Sequence, residues 1–326
     1  MMKYLTFTLI AIVVVSFKSE NLKNSYTDKD GRIDYELVSG RFEGSYTSYY
    51  PNGKKKASGI FKHNTRIGIW SVWDSNGALI NQREYTDLFT FKRLIPKPSN
   101  DPTVKHLNKP LYELKRNEQG YFPYSSLNQR AVLRSKRIWR NVESKNNPVL
   151  FNKDRLFKVF QKNILAKTVR TYSNKDDEFT EEIKLSEEEI KNQNNDYSII
   201  AFQIKEEAFF DLDKMTFETR IIGIAPVGIH KTKKDTSILY WLYSPELRPV
   251  LAAEILEFDK NTTPYIENLD DVFFFRYFSG KIIKESNVYD RFVKDYATGE
   301  KADKEAQRIE LSIIRTEHDF WLSLSK

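Results

Sequence analysis

Glu317-His318-Asp319 sets a carboxylate, an imidazole and a second carboxylate side by side, the residue types that general acid–base catalysis recruits. A helix turns about 100° per residue, so neighbours diverge and the three groups do not meet at one atom. Glu206-Glu207 offers paired carboxylates, but neighbours on a strand face opposite sides. Both sets therefore read as surface charges. Glu218 and Arg220, two apart, share one strand face and are placed to pair with each other or across the sheet. The four histidines, His63, His106, His230 and His318, lack metal-ligand spacing, so no metal and no cofactor is expected. The 12 glycines form no phosphate-cradling loop and no Gly-x-Ser-x-Gly elbow, and a chain without cysteine has neither thiol chemistry nor disulfides. The expectation is a protein that is not an enzyme.

The elements that would position these groups begin after an export signal. Lys3 precedes an apolar run from Tyr4 to Phe17, which reads as a signal peptide over residues 1–19 with cleavage near Ser16. The run is 14 residues, short of the roughly 20 a membrane-spanning helix needs. Lacking a cysteine to acylate, the chain is expected to reach a membrane only through partners. Lys and Arg outnumber Asp and Glu by 30 to 13 over residues 21–175, and the balance reverses to 20 against 31 over 176–326. An exported chain is not expected to meet nucleic acid, so the asymmetry points to a docking face for an acidic partner or to complementarity between neighbouring copies. Apolar residues at 40% and aromatics at 14% suit two strand-rich cores.

Residues 44–85 repeat with a period of 24: Gly44, Tyr46, Asn52 and Gly53 match Gly68, Trp70, Asn76 and Gly77, and Phe61 matches Tyr85. In each unit an aromatic strand runs into Asn-Gly, which predicts a hairpin with a type I′ turn. The stretch Gly31 to Phe42 reads as a degenerate earlier unit. The pattern resembles the bacterial MORN-type repeat, so residues 26–91 are expected to form a small all-β module of stacked hairpins serving interaction. Lys54, Lys55 and Lys56 read as a solvated turn. Residues 92–125 collect Pro96, Pro98, Pro102, Pro110 and Pro123, the composition of an extended linker.

Over 126–326 helices are expected at Leu127–Val142, at Asp154–Lys167 with Asp154 as N-cap, around 246–257, at 270–278 and at 302–322. Residues 174–195 read as an acidic surface loop with one short helix. Strands at 198–206, 216–227 and 237–243 form an antiparallel meander. Pro226, Pro245 and Pro249 should end strands or start a helix. Trp139, Trp241 and Trp321 read as core anchors. The fold class is α+β, an antiparallel sheet covered by helices on one side.

Here Ser135-Lys-Arg-Ile-Trp139-Arg, Asp177-Glu-Phe-Thr180, Arg220-Ile-Ile-Gly223-Ile-Ala-Pro226, Trp241-Leu-Tyr-Ser-Pro245-Glu-Leu-Arg248-Pro249, Lys284-Glu285-Ser-Asn-Val-Tyr289-Asp-Arg291 and Glu317-His-Asp-Phe-Trp321 occur in order. Together they resemble the GldN/PorN family, the N component of the gliding and type IX secretion apparatus. That resemblance implies a periplasmic, non-catalytic subunit. It would form a ring beneath the outer membrane with the K-component lipoprotein and contact the periplasmic part of the motor's M component. It also marks the motif residues as structural or interface positions. The repeat module and proline-rich arm depart from the usual N component. The alternative reading is a stand-alone periplasmic binding or adaptor protein whose repeats capture a peptide, a glycan or a membrane surface.

Overall fold

The computed structural model describes residues 22–85, 91–96, 115–257 and 265–323. The expected signal segment with Ser16, and residues 97–114 of the proline-rich stretch, lie outside them. Seven strands, β1 (Leu22–Asp28), β2 (Gly31–Val38), β3 (Arg41–Tyr49), β4 (Lys55–Lys62), β5 (Thr65–Trp73), β6 (Leu79–Tyr85) and β7 (Phe91–Ile95), form one antiparallel sheet in chain order. The 24-residue period is visible in its register, since Gly44 pairs with Phe61 as Gly68 pairs with Tyr85. The repeated turns also touch: Asn52 donates to Ser75 O at 3.0 Å, Lys54 to Asn76 O at 2.8 Å and Tyr50 to Trp73 O at 2.8 Å.

The type I′ turns are not where Asn-Gly suggested. At 50–53 and 74–77 only Gly53 (φ 81°) and Gly77 (φ 91°) take positive φ, and each N–H closes on the carbonyl three residues back. A turn whose last residue alone is left-handed suits Pro51 at its second position and belongs to longer hairpin loops. Both central residues are positive instead at Ser39-Gly40 and His63-Asn64, the tight turns at the opposite end of the sheet. Lys56 is not solvated either: it is buried and pairs with Asp319 at 2.6 Å.

The second sheet has the order β13 (Thr236–Ile238), β12 (Thr216–His230), β11 (Tyr197–Asp211), β8 (Val132–Glu143), β15 (Lys281–Glu285), with β14 (Leu242–Tyr243) also on β12. A small hairpin of β9 (Thr171–Tyr172) and β10 (Glu182–Ile183) is bridged to this sheet through Tyr172 and Trp241. The helices are α1 (Pro148–Phe151), α2 (Arg155–Leu165), α3 (Glu187–Asp196), α4 (Ser244–Ala252), α5 (Leu269–Phe274) and α6 (Glu300–Ser323). The architecture is α+β, as expected.

Several local expectations are corrected. Residues 132–143 are the interior strand β8, not a helix; Ile138, Trp139 and Arg140 are all buried because both faces of the strand are covered, which hides the period of two. Asp154 precedes α2 without a capping hydrogen bond, whereas Ser186 and Glu189 form a full capping box on α3. The expected strand at 237–243 divides into β13 and β14. Pro226 lies inside β12. Its carbonyl accepts from Leu239 N–H, so its nitrogen points toward the short edge strand, and the bond proline cannot donate is missing only just past the end of that pairing. Pro245 starts α4 as expected, while Pro249 falls within it.

One core joins α2, α4 and α5 to β11 and β12 through Phe157, Phe160, Phe202, Leu247 and Val272. A second is shared between the first sheet and α6: Tyr46, Phe61 and Trp70 pack with Leu311 and Trp321, and Phe210 stacks on Phe320 at 4.2 Å. Each such side chain, fully buried, contributes about 1.5–3 kcal/mol. The first sheet therefore rests on the last helix.

Candidate functional site

The cluster with the residue types of acid–base chemistry is built into that junction. α6 presents Glu317, His318 and Trp321 to the aromatic face of the first sheet, and all three are fully buried, which suits Trp321 as a core anchor and corrects the reading of Glu317 and His318 as surface charges. Glu317 pairs with Arg66 on β5 and accepts Phe217 N–H at 3.0 Å. His318 lies among the rings of Trp321, Trp70 and Tyr46 at 5.3, 5.7 and 5.8 Å, and its nitrogens have no hydrogen-bond partner among the described residues. Burial, reinforced by Arg66, Lys56 and Arg83, holds the imidazole well below its usual range, so it is neutral. Trp321 Nε1 donates to Met215 O at 3.1 Å, and the Arg83 guanidinium lies 3.9 Å from its ring centroid while donating to the same carbonyl at 3.0 Å. Arg315 reaches Asp28 at 2.6 Å. The carboxylate is engaged by an arginine and the imidazole by rings, which is the chemistry of a joint.

A second cluster runs as one row across the other sheet: Lys284 pairs with Trp139, Trp139 with Lys205, Lys205 with Gly223 and Gly223 with Tyr243. Over it folds the turn at 176–180. Trp139 Nε1 donates to Asp177 at 2.6 Å, and buried Lys205 donates to the Asp177 carbonyl at 2.6 Å and to Glu178 at 2.7 Å. The bond from Lys205 holds the Glu178 carboxyl below its usual range. Phe179 packs edge-on to Tyr172 at 5.4 Å and to Trp241 at 6.2 Å. It rests where Gly223 has no side chain, since a Cβ there would stand 2.3 Å from the ring. Lys284 sits 4.2 Å above the Trp139 ring and pairs with Asp290 at 2.5 Å. This sheet face is therefore also covered, by the very Asp177–Thr180 segment singled out in the sequence.

On the opposite face Glu206, wholly buried instead of surface-exposed, pairs with Arg276 at 2.9 Å and Arg140 at 3.3 Å. Burial alone would raise its carboxyl; the two guanidinium groups outweigh this and hold it low. Arg140 also reaches Glu310 on α6 at 2.6 Å. Arg248 grips Asp270 with two bonds, 2.9 and 2.8 Å, and donates to Phe122 O at 2.5 Å. Arg220 pairs with Glu218 at 2.8 Å, as expected, and donates to Ser125 O at 2.9 Å. Arg248 also lies against Tyr121 and Tyr124, so these two motif arginines seat the segment that leads into the domain. Glu285 links Lys136 at 2.9 Å to Arg308 at 3.1 Å. Tyr289 alone among the motif aromatics stands in solvent, 75% exposed.

Most of the sequence residues thus separate into three places: Trp139, Lys284, Gly223 and Trp241 on the covered face, Arg220 and Arg248 around the entering segment, and Trp321 at the joint. Arg66, Arg83, Lys205 and Asp270 were missed as members, Arg140 was quoted in a motif without a role, and Glu206 was read as a surface charge. The available signal was a charge set inside an apolar run, as in Ile138-Trp139-Arg140. Among the described residues no group of His, Asp or Glu could hold a metal ion, and no helix is long and apolar enough to cross a membrane.

Among curated proteins none matches this sequence. A family model described as gliding motility associated protein GldN matches residues 127–322, the span that holds both sheet-face clusters and α6 through Trp321. The chain belongs to the GldN family and is a component of gliding motility and type IX secretion.

Proposed function

We propose that this chain is a non-enzymatic, periplasmic structural subunit of that machine, forming a ring or scaffold with its outer-membrane lipoprotein and contacting the periplasmic part of the motor. The observation that carries the reading is how the motif residues are used. Trp139, Lys284, Arg220, Arg248 and Trp321 tie the entering segment, the covering turn and α6 to one sheet, and none of them converges with another on a reactive centre. Such a body is rigid and presents fixed surfaces. The test is the mass of the complex drawn from solubilised envelopes by a tag after Lys326. A very large assembly containing an outer-membrane lipoprotein is expected; a particle near the chain's own 38.4 kDa would refute the reading.

The adaptor alternative retains one supporting feature, the exposed Ile60 and Ile69 on the outer face of the first sheet. Its inner face is closed by α6, so a fragment ending near residue 92 would bare Tyr46 and Trp70. Ligand capture by the repeats is therefore to be sought with the full chain.

A further inference from the structure

The loop after β15 is exposed from Ser286 to Arg291, yet it is braced by its own side chains. Asn287 donates to the carbonyls of Glu285 and Arg291, both at 2.9 Å, and accepts the N–H groups of Tyr289 and Arg291 at 3.2 and 3.0 Å. Asp290 is tied to buried Lys284, which rests on Trp139 and on Phe292. This frame holds Val288 98% exposed and Tyr289 75% exposed at its tip. Arg291 lies over the Tyr289 ring at 4.7 Å, and neither Arg291 nor Lys294 has a carboxylate partner among the described residues. A rigid apolar and aromatic tip flanked by unpaired cations is a preorganised contact, because little side-chain freedom is lost when it docks.

We infer that this tip docks on a second copy of the chain, at the ledge formed by β10 and the start of α3. Glu181, Glu182, Glu187 and Glu188 are exposed there without an ion-pair partner among the described residues, and Lys184 is the lone cation of the run 181–189. Half-buried Ile183 and Leu185 between them give the tyrosine an apolar seat. The two patches lie at opposite edges of the second sheet. The tip follows edge strand β15, and the ledge belongs to the β9–β10 hairpin that the Tyr172–Trp241 bridge fastens beside β14 and β12. Complementary patches at opposite edges make a head-to-tail contact, which closes into a ring or extends as a filament. The inference rests on the scaffold reading and supplies its self-contact.

The chain has no cysteine, so introduced thiols are its only ones. Full-length Val288→Cys and Glu187→Cys proteins, mixed and oxidised, are expected to form a covalent dimer that neither forms alone. Val288→Cys mixed with Lys23→Cys, on the edge of the first sheet, should not. Reversing Arg291 and Lys294 to Glu should weaken self-association on the order of tenfold, and reversing Glu181 and Glu187 to Lys in the mixing partner should restore it. A mixed pair that cross-links no faster than the Lys23 control, or charge reversal that leaves the sedimentation profile unchanged, overturns the inference. So does tip-dependent binding to anionic vesicles by a chain that stays monomeric. If the envelope complex is large while the cross-link is absent, only this contact falls; if the complex is near the mass of one chain, the scaffold reading falls with it.

Discussion

Replacing Trp321 by Ala should loosen the first sheet from the last helix. The indole is fully buried, donates to Met215 O at 3.1 Å and carries the Arg83 guanidinium 3.9 Å from its centroid. Truncating a core Trp to Ala costs about 3–5 kcal/mol. The Met215 carbonyl keeps its bond from Arg83, so no bare acceptor adds to the penalty, whereas Arg83 loses the ring that accompanies its buried charge. The total should lie near the upper end, about 4–5 kcal/mol. At roughly 2 °C per kcal/mol for a chain of this size, the melting temperature should fall by about 8–10 °C. Calorimetry measures the drop and amide exchange locates it: protection should be lost first in β3 to β5, which hold Tyr46, Phe61 and Trp70, and last in β11. Trp321→Phe, which keeps a ring over Arg83, should recover about half. A fall below ~2 °C, or exchange rising equally in both sheets, would refute the view that α6 holds the sheets together.

His318 should make the chain acid-sensitive. Its folded-state pKa lies well below the usual 6.5, so the unfolded chain takes up the proton first as pH falls. Stability is then intact above pH ~6.5 and declines by ~1.4 kcal/mol per unit below it, until the folded-state pKa is reached. His318→Phe should flatten that slope between pH ~6.5 and ~5 in urea titrations; the same slope in both proteins contradicts the assignment. Gly223→Ala should cost ~1–3 kcal/mol by driving Phe179 off the sheet, and Phe179→Ala in the same chain should remove most of the difference, read as thermal shifts. Arg248→Lys keeps the charge but loses the fork on Asp270 and the bond to Phe122 O, so exchange at Tyr121 to Tyr124 should rise at least tenfold. Glu317→Leu alone should cost ~3–5 kcal/mol by stranding Arg66 and the Phe217 N–H, while adding Arg66→Met should return the part owed to the arginine; equal instability of single and double variants would argue against the pairing.

The parts of the fold legible in the sequence were those with a local cause. Leu156, Phe157, Phe160 and Ile164 recur at helical spacing because α2 buries one stripe; α6 was legible as a helix, but of the face read from Ile309, Ile313, Thr316 and Phe320 only Ile309 is fully buried. The hairpin period was readable because equivalent residues occupy equivalent registers in successive units. What failed depended on contacts distant in sequence. β8 resembled a helix because Val132, Ile138 and Val142 also fit a helical stripe, and only the cover on both faces explains three consecutive buried residues. Glu206, Glu317 and His318 resembled surface residues because nothing local announces that Arg276, Arg66 or Trp70 will meet them. For Asn-Gly, composition located the turn and loop length set its type.

The joint between the two sheets mixes adhesion with register, and the two come from different residues. Tyr46, Phe61, Trp70 and Trp321 supply apolar area, which is non-directional and would be buried nearly as well with α6 displaced along the sheet. The charges do not tolerate that displacement. A shift of one helical turn, about 5.4 Å, would carry Glu317 away from Arg66 and from Phe217 N–H, and Arg315 away from Asp28. A stranded buried carboxylate costs ~3–5 kcal/mol, whereas the intact pair adds little over an apolar replacement. The ion pairs therefore act mainly by penalising the wrong arrangements. The proposed head-to-tail contact would require this property, since an angular error in such a contact is repeated at every copy and decides whether the assembly closes.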